Sequence, residues 1–235
     1  MSRAREIIES ALNEGRNFLL EPEAKTLCSL YGIPVTRFKV AKTLEEAKRY
    51  AAELGYPVVL KVVSPDVLHK SDVGGVVTNI KTPEELEQAY NRIIENVRKH
   101  VPNARIRGVL VQEYVPPATE VIVGVAKDPQ FGHVVMFGLG GIFVEVLKDV
   151  TFRVLPVSER DAYEMIREIK GYPILKGYRG SPPADIDAIV DIIMKVSKMV
   201  AEIPEIEQLD LNPILVYERG AKVIDARVIF QARTS

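Results

Sequence analysis

After Pro116-Pro117 the chain strings strand-like runs one behind another: Glu120–Ala126, His133–Phe137, Phe143–Leu147 and Phe152–Val157. Gly138, Gly140 and Gly141 punctuate them, and no helical pattern intervenes. Parallel neighbours need a long crossover, usually a helix, so strands that follow one another directly must pair antiparallel. This excludes a wholly parallel sheet and predicts an α+β chain. The 235 residues suffice for one large domain or two small lobes. We expect two α+β lobes meeting near 112–118, an N-terminal lobe of 1–112 and a C-terminal lobe of 113–235.

The remaining elements follow from spacing and punctuation. Ile7, Ile8, Ala11 and Leu12 recur at helical spacing within Arg3–Asn13. A second helix spans Pro22–Tyr31, and Val35–Val40 reads as a strand. Thr43 and Glu46 form a capping box for a helix that Gly55 ends. Val58–Val63 is a buried strand carrying one lysine, residues 64–75 are a loop, and Val76–Ile80 is the next strand. Thr82-Pro83 opens a helix reaching about Lys99, and Ile106–Tyr114 is a strand that the two prolines stop. Ser158 caps another helix, and 171–183 is a polar Gly/Pro segment. A long helix spans about Pro183–Ile203. Strands Gln208–Tyr217 and Lys222–Phe230 are joined by a tight turn at Glu218-Arg219-Gly220.

Composition narrows the function. At 47% hydrophobic and 27% charged the chain can bury a core, and a formal net charge of -1 supplies no basic field. Neither nucleic acid nor a membrane surface is therefore the expected partner. No apolar run is long enough to cross a bilayer, and the first residues lead into an amphipathic pattern rather than a signal core. Cys28, the only cysteine, makes no internal disulfide or zinc cluster, which suits a reducing cytoplasm. The expected setting is cytoplasmic.

Several residues could carry chemistry. Lys61 in an apolar strand either reaches an anionic partner such as a nucleotide phosphate or sits on the wet face of a half-exposed strand. In Asp210-Leu211-Asn212-Pro213, alternation puts Asp210 and Asn212 on one face, with Asp225 able to lie beside them from the next strand. Such oxygen ligands suit magnesium completed by phosphates, or else they are solvated carboxylates near a turn. Gly74 and Gly75 permit a loop whose amides hold phosphate. His69 in that loop is a competent phosphoryl acceptor or a plain surface histidine. Gln112, Glu113, Tyr114 and Val115 form the hinge between lobes, where backbone groups can read an adenine edge and Glu120 can accept from ribose. They are equally an ordinary strand and linker. Gly140 and Gly141 do not match the dinucleotide fingerprint but allow close approach to the sheet. Glu145 and Arg153 face a cleft or pair on a wet face.

Together and in this order, these residues resemble the ATP-grasp superfamily. The loop from Lys61 through Ser64-Pro65, His69-Lys70, Asp72 and Gly74-Gly75-Val76 is similar to the β subunits of ADP-forming acetate–CoA ligases. So are Phe137–Glu145 and Gln208–Pro213. The succinyl-CoA synthetase β subunit is a more distant likeness. The resemblance covers about Phe18 to Phe230. It implies an ATP-grasp fold, two α+β lobes enclosing a nucleotide cleft. It implies interconversion of acetyl-CoA, ADP and phosphate with acetate, CoA and ATP through a phosphohistidine.

On that reading Lys61 contacts the α- and β-phosphates, and Asp210, Asn212 and Asp225 hold Mg2+. Backbone at Glu113–Val115 reads adenine, Glu120 contacts ribose, and His69 is a transient phosphoryl acceptor on a mobile loop. Arg153 adds charge near the phosphate and Glu145 orients a histidine. The chain carries no evident motif for CoA or acyl phosphate, so an α subunit holding the CoA site and a phosphorylated histidine is the implied partner, in an α2β2 heterotetramer. Two other readings stay open. One is a different ATP-grasp ligase working through an acyl phosphate, which needs no histidine relay. The other is a nucleotide-binding regulatory subunit without turnover.

Overall fold

Side-chain caps set where the helices begin. The computed structural model describes residues 2–141, 146–178, 180 and 182–231. Helices α1 (Arg3–Asn13) and α2 (Glu21–Leu30) lead the chain, followed by strand β1 (Phe38–Ala41). Helix α3 (Leu44–Leu54) starts at Thr43, whose hydroxyl accepts from Glu46 N, and ends at Gly55 with φ of 88°. The Glu46 carboxylate accepts from Lys42 N at 2.7 Å instead of from Thr43 N, so the expected capping box is displaced by one residue. Strands β2 (Val58–Val63) and β3 (Val76–Ile80) precede α4 (Pro83–His100). Thr82 caps α4 at one end, and Arg98, Lys99 and His100 complement its dipole at the other. Strand β4 (Gly108–Glu113) follows.

The chain divides into two compact units, Thr36–Pro116 and a discontinuous one made of Met1–Val35 with Pro117–Ser235. This differs from a linear split into 1–112 and 113–235. Residues 17–19 bond across to the last strand of the chain, with Leu19 N donating to Val228 O at 3.0 Å and Phe230 N to Asn17 O at 2.7 Å. A pairing between chain ends leaves no mark in local periodicity.

In the 36–116 unit the sheet order is β1-β4-β2-β3, all antiparallel. Val58, Leu60, Val62, Val109 and Val111 pack in one core with Leu86, Ile93 and Val97 of α4. Val59, Lys61 and Val63 point the other way by alternation, yet each is 5–6% exposed. Lys61 is therefore not on a wet strand face. The loop after β2 returns tightly to it. Val62 N donates to Gly75 O at 2.8 Å and Gly75 N to Lys70 O at 2.7 Å. A Cβ on Gly75 would stand 2.7 Å from Val62 Cγ1 and 3.0 Å from Lys70 O. Gly75→Ala is expected to destabilise the chain by about 1–3 kcal/mol through this overpacking. A urea midpoint unchanged from wild type would show that the loop yields freely.

The other unit holds β5 (Thr119–Asp128), β6 (Gly132–Leu139), β7 (Val150–Val154), β8 (Ile206–Val216), β9 (Ala221–Val223) and β10 (Ala226–Phe230). They form one antiparallel sheet of order β10-β8-β5-β6-β7, with β9 beside β8. Helices α5 (Glu159–Glu168), α6 (Tyr172–Leu175) and α7 (Ile186–Glu202) complete it. Val123, Val135, Phe137, Leu209 and Val228 share a core with Met165 of α5 and Ile193 and Val196 of α7.

Several expectations shift. Asp185, not Pro183, begins α7, because its carboxylate accepts from Ala188 N at 3.0 Å. The polar segment at 171–183 contains the one-turn α6. Of the expected strand Phe143–Leu147, residues 143–145 lie outside the described residues, and Val146 and Leu147 form a turn and bend. The final expected strand is two, β9 and β10, broken at Ile224-Asp225. Pro213 has no N–H for the ladder, and the pairing of β8 with β5 shifts register at the same place. Among the described residues no helix is long and apolar enough to cross a membrane.

Candidate functional site

The break at Pro213 organises the oxygen cluster. Asn212 N donates to Asp225 O at 3.3 Å, and Ile224 N to Pro213 O at 2.9 Å. Asp225 thus sits in the break between β9 and β10, beside Asn212, rather than inside a continuous strand. Asp210 pairs with Gly124 of β5 and Arg227 of β10. It lines a concavity of about 560 Å³ on the sheet face away from α5 and α7, with Ile122, Gly124, Met136, Phe152 and Arg227. Burial pushes the Asp210 carboxyl up, the charge of Asp225 adds to this, and Arg227 opposes it. Its Oδ1 is buried without a hydrogen-bond partner. A buried carboxylate oxygen left bare next to a second carboxylate is costly unless a cation joins them.

Asp210, Asn212 and Asp225 are all hard oxygen donors, the set magnesium takes. Among the described residues no three His, Cys, Asp or Glu side chains form a self-sufficient metal site. The donor set here is two carboxylates and an amide, which fits an ion that keeps further oxygen ligands from elsewhere.

Lys61 belongs to the other unit and is 5% exposed in β2. The hinge residues follow on β4. Gln112 is buried, and Glu113 is bracketed by Arg37. The Glu113 carboxylate accepts from Arg37 N and Nε, both at 2.9 Å. Glu113 N donates to Arg37 O at 3.0 Å and Tyr114 N to Pro57 O at 3.2 Å. Both amides are thereby engaged inside the unit. Of the three amides expected to face a base, only that of Val115 donates to no backbone carbonyl among the described residues. Tyr114 and Val115 are half-buried.

His69 is exposed in the 64–75 loop. Gly74, with φ of 64°, packs against Asn96 of α4, whose Nδ2 donates to Gly74 O at 3.3 Å. Glu120 is exposed at the start of β5. Gly140 N donates to its carbonyl at 2.8 Å, and a Cβ on Gly140 would stand 2.9 Å from Glu120 Cβ. Gly141, with φ of 60°, turns the chain just beyond. The glycines and Glu120, singled out separately in the sequence, are neighbours.

Arg153 corrects an expectation. It pairs with Val135, whose side chain lies in the helix-side core, and makes a 2.5 Å ion pair with Glu168 of α5. Phe152 lines the concavity with Asp210, so Arg153 projects from the opposite face of the sheet. Glu145 lies outside the described residues. Sequence reasoning missed Arg37, Arg105 and Arg227. Only Arg227, two residues beyond Asp225 on an alternating strand, left a local signal.

Known proteins resemble this chain along nearly its whole length. A family model described as an ATP-grasp domain matches residues 10–230. The chain is 56% identical over 229 residues to the β subunit of acetate–CoA ligase (ADP-forming) I from Pyrococcus furiosus, covering 97% of this chain and 98% of that one. A solved acetyl-coenzyme A synthetase 1 from Ca. Korarchaeum cryptofilum, in complex with coenzyme A and Ca-AMPCP, matches with TM-score 0.95 at 53% identity, covering 97% and 100%. Another structure of that enzyme holds Mg-AMPPCP and has its phosphohistidine segment pointing towards the nucleotide binding site. It matches with TM-score 0.86 at 50% identity, covering 97% and 100%.

Proposed function

Since the chain belongs to the ATP-grasp family, among the β subunits of ADP-forming acetate–CoA ligases, we propose that it handles the nucleotide half of acyl-CoA synthesis. It moves a phosphoryl group between a phosphohistidine of an α partner and ADP or ATP, so that acetyl-CoA, ADP and phosphate interconvert with acetate, CoA and ATP. The observation that carries this reading is the Asp210–Asn212–Asp225 cluster, with one buried carboxylate oxygen uncompensated. Those three residues would hold Mg2+, which when bound neutralises phosphate charge.

The other residues divide the remaining work. Lys61 sets its ammonium against the α- and β-phosphates. Val115 N–H, with carbonyls of the same hinge, reads the adenine edge, and Glu120 accepts from the ribose hydroxyls. An imidazole nitrogen of His69 attacks the γ-phosphorus of ATP. The N–P bond forms as the bridging P–O bond breaks, and ADP leaves with the electron pair; the reverse step makes ATP. Catalysis of such transfers is mostly positioning and charge neutralisation. The α partner supplies the CoA site and its own histidine, and α2β2 is the proposed assembly.

Two measurements test this. The chain alone should bind nucleotide without making ATP from acetyl-CoA, ADP and phosphate, and the reconstituted pair should make it. ATP formation by the isolated chain would overturn the division of labour. Asp225→Asn should weaken magnesium-dependent nucleotide binding by about tenfold or more, the scale of one charge-assisted contact. Unchanged binding in a magnesium titration would move the ion elsewhere.

A further inference from the structure

His69 sits in a loop whose two ends are fastened differently from its middle. On the entry side, Arg105 grips Asp66 by three hydrogen bonds. Its backbone N donates to Oδ2 at 2.8 Å, its Nε to Oδ2 at 3.0 Å and its Nη2 to Oδ1 at 2.7 Å. Asp66 N donates to Ser64 Oγ at 3.2 Å. Val67 then plugs into the core beneath α4, 6% exposed. On the exit side, Lys70 O accepts from Gly75 N at 2.7 Å and Ser71 O from Gly74 N at 3.1 Å. Between these fastenings only Leu68 and His69 stand out, both exposed. The fastenings leave His69 on a short presented tip.

We propose that Arg105, acting through Asp66, is a positioning residue that aims His69 for phosphoryl transfer. This rests on reading His69 as the phosphoryl acceptor. Ion pairs this exposed ordinarily add little to stability; the Arg105 side chain is 65% and Asp66 28% accessible. The two-pronged geometry therefore matters for direction more than for folding energy. A reacting atom displaced by about 1 Å loses orders of magnitude in rate even when binding is intact. The same grip draws the Asp66 carboxyl down to about 2, so the clamp stays charged at any practical assay pH.

The test uses the reconstituted complex with γ-labelled ATP and magnesium, quenched rapidly, reading acid-labile phosphate on each subunit. Arg105→Ala and Asp66→Asn should each slow transfer to the partner's histidine by about tenfold or more, with the nucleotide KM within about twofold of wild type. Arg105→Lys, which keeps the charge but not the fork, should stay slow. Transfer at the wild-type rate in Arg105→Ala and Asp66→Asn would overturn the proposal. So would a loss matched by an equal rise in KM and a lowered Tm, since that pattern marks general loosening of the unit. His69→Ala, run alongside, separates the two ideas. If it transfers normally the acceptor reading itself fails. If it is dead while the Arg105 and Asp66 variants are normal, only the positioning role is lost.

Discussion

Replacing His69 by alanine or asparagine is expected to abolish ATP formation from acetyl-CoA, ADP and phosphate in the reconstituted complex. The loss should reach about three orders of magnitude or more, because removing the covalent acceptor cuts the path between the partner's histidine and the nucleotide. Nucleotide affinity should stay within about twofold, as exposed substitutions away from packing seldom cost more than ~0.5 kcal/mol. His69 packs into no core; it stands between Leu68 and Lys70 at the exposed tip of its loop. The variant therefore separates chemistry from folding more cleanly than any buried residue could. ATP synthesis near the wild-type rate would remove the relay and favour direct ligation through an acyl phosphate.

Lys61→Ala should lower nucleotide affinity by roughly ten- to a hundredfold, corresponding to ~1.5–3 kcal/mol for a hydrogen bond to a charged group. The lysine is nearly buried, and its neighbours by alternation, Val59 and Val63, are apolar. An ammonium brought against phosphate there adds a charge-assisted contact to nucleotide binding. Lys61→Met keeps most of the volume and loses the charge. It should bind nucleotide as poorly as the alanine variant while melting closer to wild type than that variant does, since it leaves the smaller cavity. Calorimetric titration with ADP and with ATP reads the first effect and thermal melts the second. Full affinity in both variants would assign the phosphates to another cation.

Much of the local structure was legible because short-range chemistry decides it. The spacing of Ile7, Ile8 and Ala11, the hydroxyl of Thr82 ahead of Pro83, and Gly55 after an apolar face all act over a single turn of chain. The placement of α1, α3 and α4 followed from them. The residue order from Lys61 to Asp225 likewise pointed to the ATP-grasp family, since type and sequence of chemical groups survive in one dimension. The exclusion of a wholly parallel sheet needed only the run of strands without crossover helices between Pro117 and Val157.

What the linear chain left undecided was decided by partners distant along it. Alternation shows that Phe152 and Arg153 point to opposite faces but not which face meets helices; pairing with Val135 and α5 turned Arg153 away from Asp210. Pro213 broke the last strand because a missing N–H is felt only by the strands beside it, and that break brought Asp225 next to Asn212. The Arg37–Glu113 bracket and the Arg105–Asp66 clamp join charges 76 and 39 positions apart. Residues 1–35 joined the C-terminal unit through bonds to the final strand. The amino-acid sequence by itself determined the helices, most strands and the inventory of reactive groups, because each depends on neighbours within a few residues. Tertiary structure alone decided sheet faces, unit membership and the fastening of the loop that carries His69, because each depends on which remote backbone or charge completes the pairing.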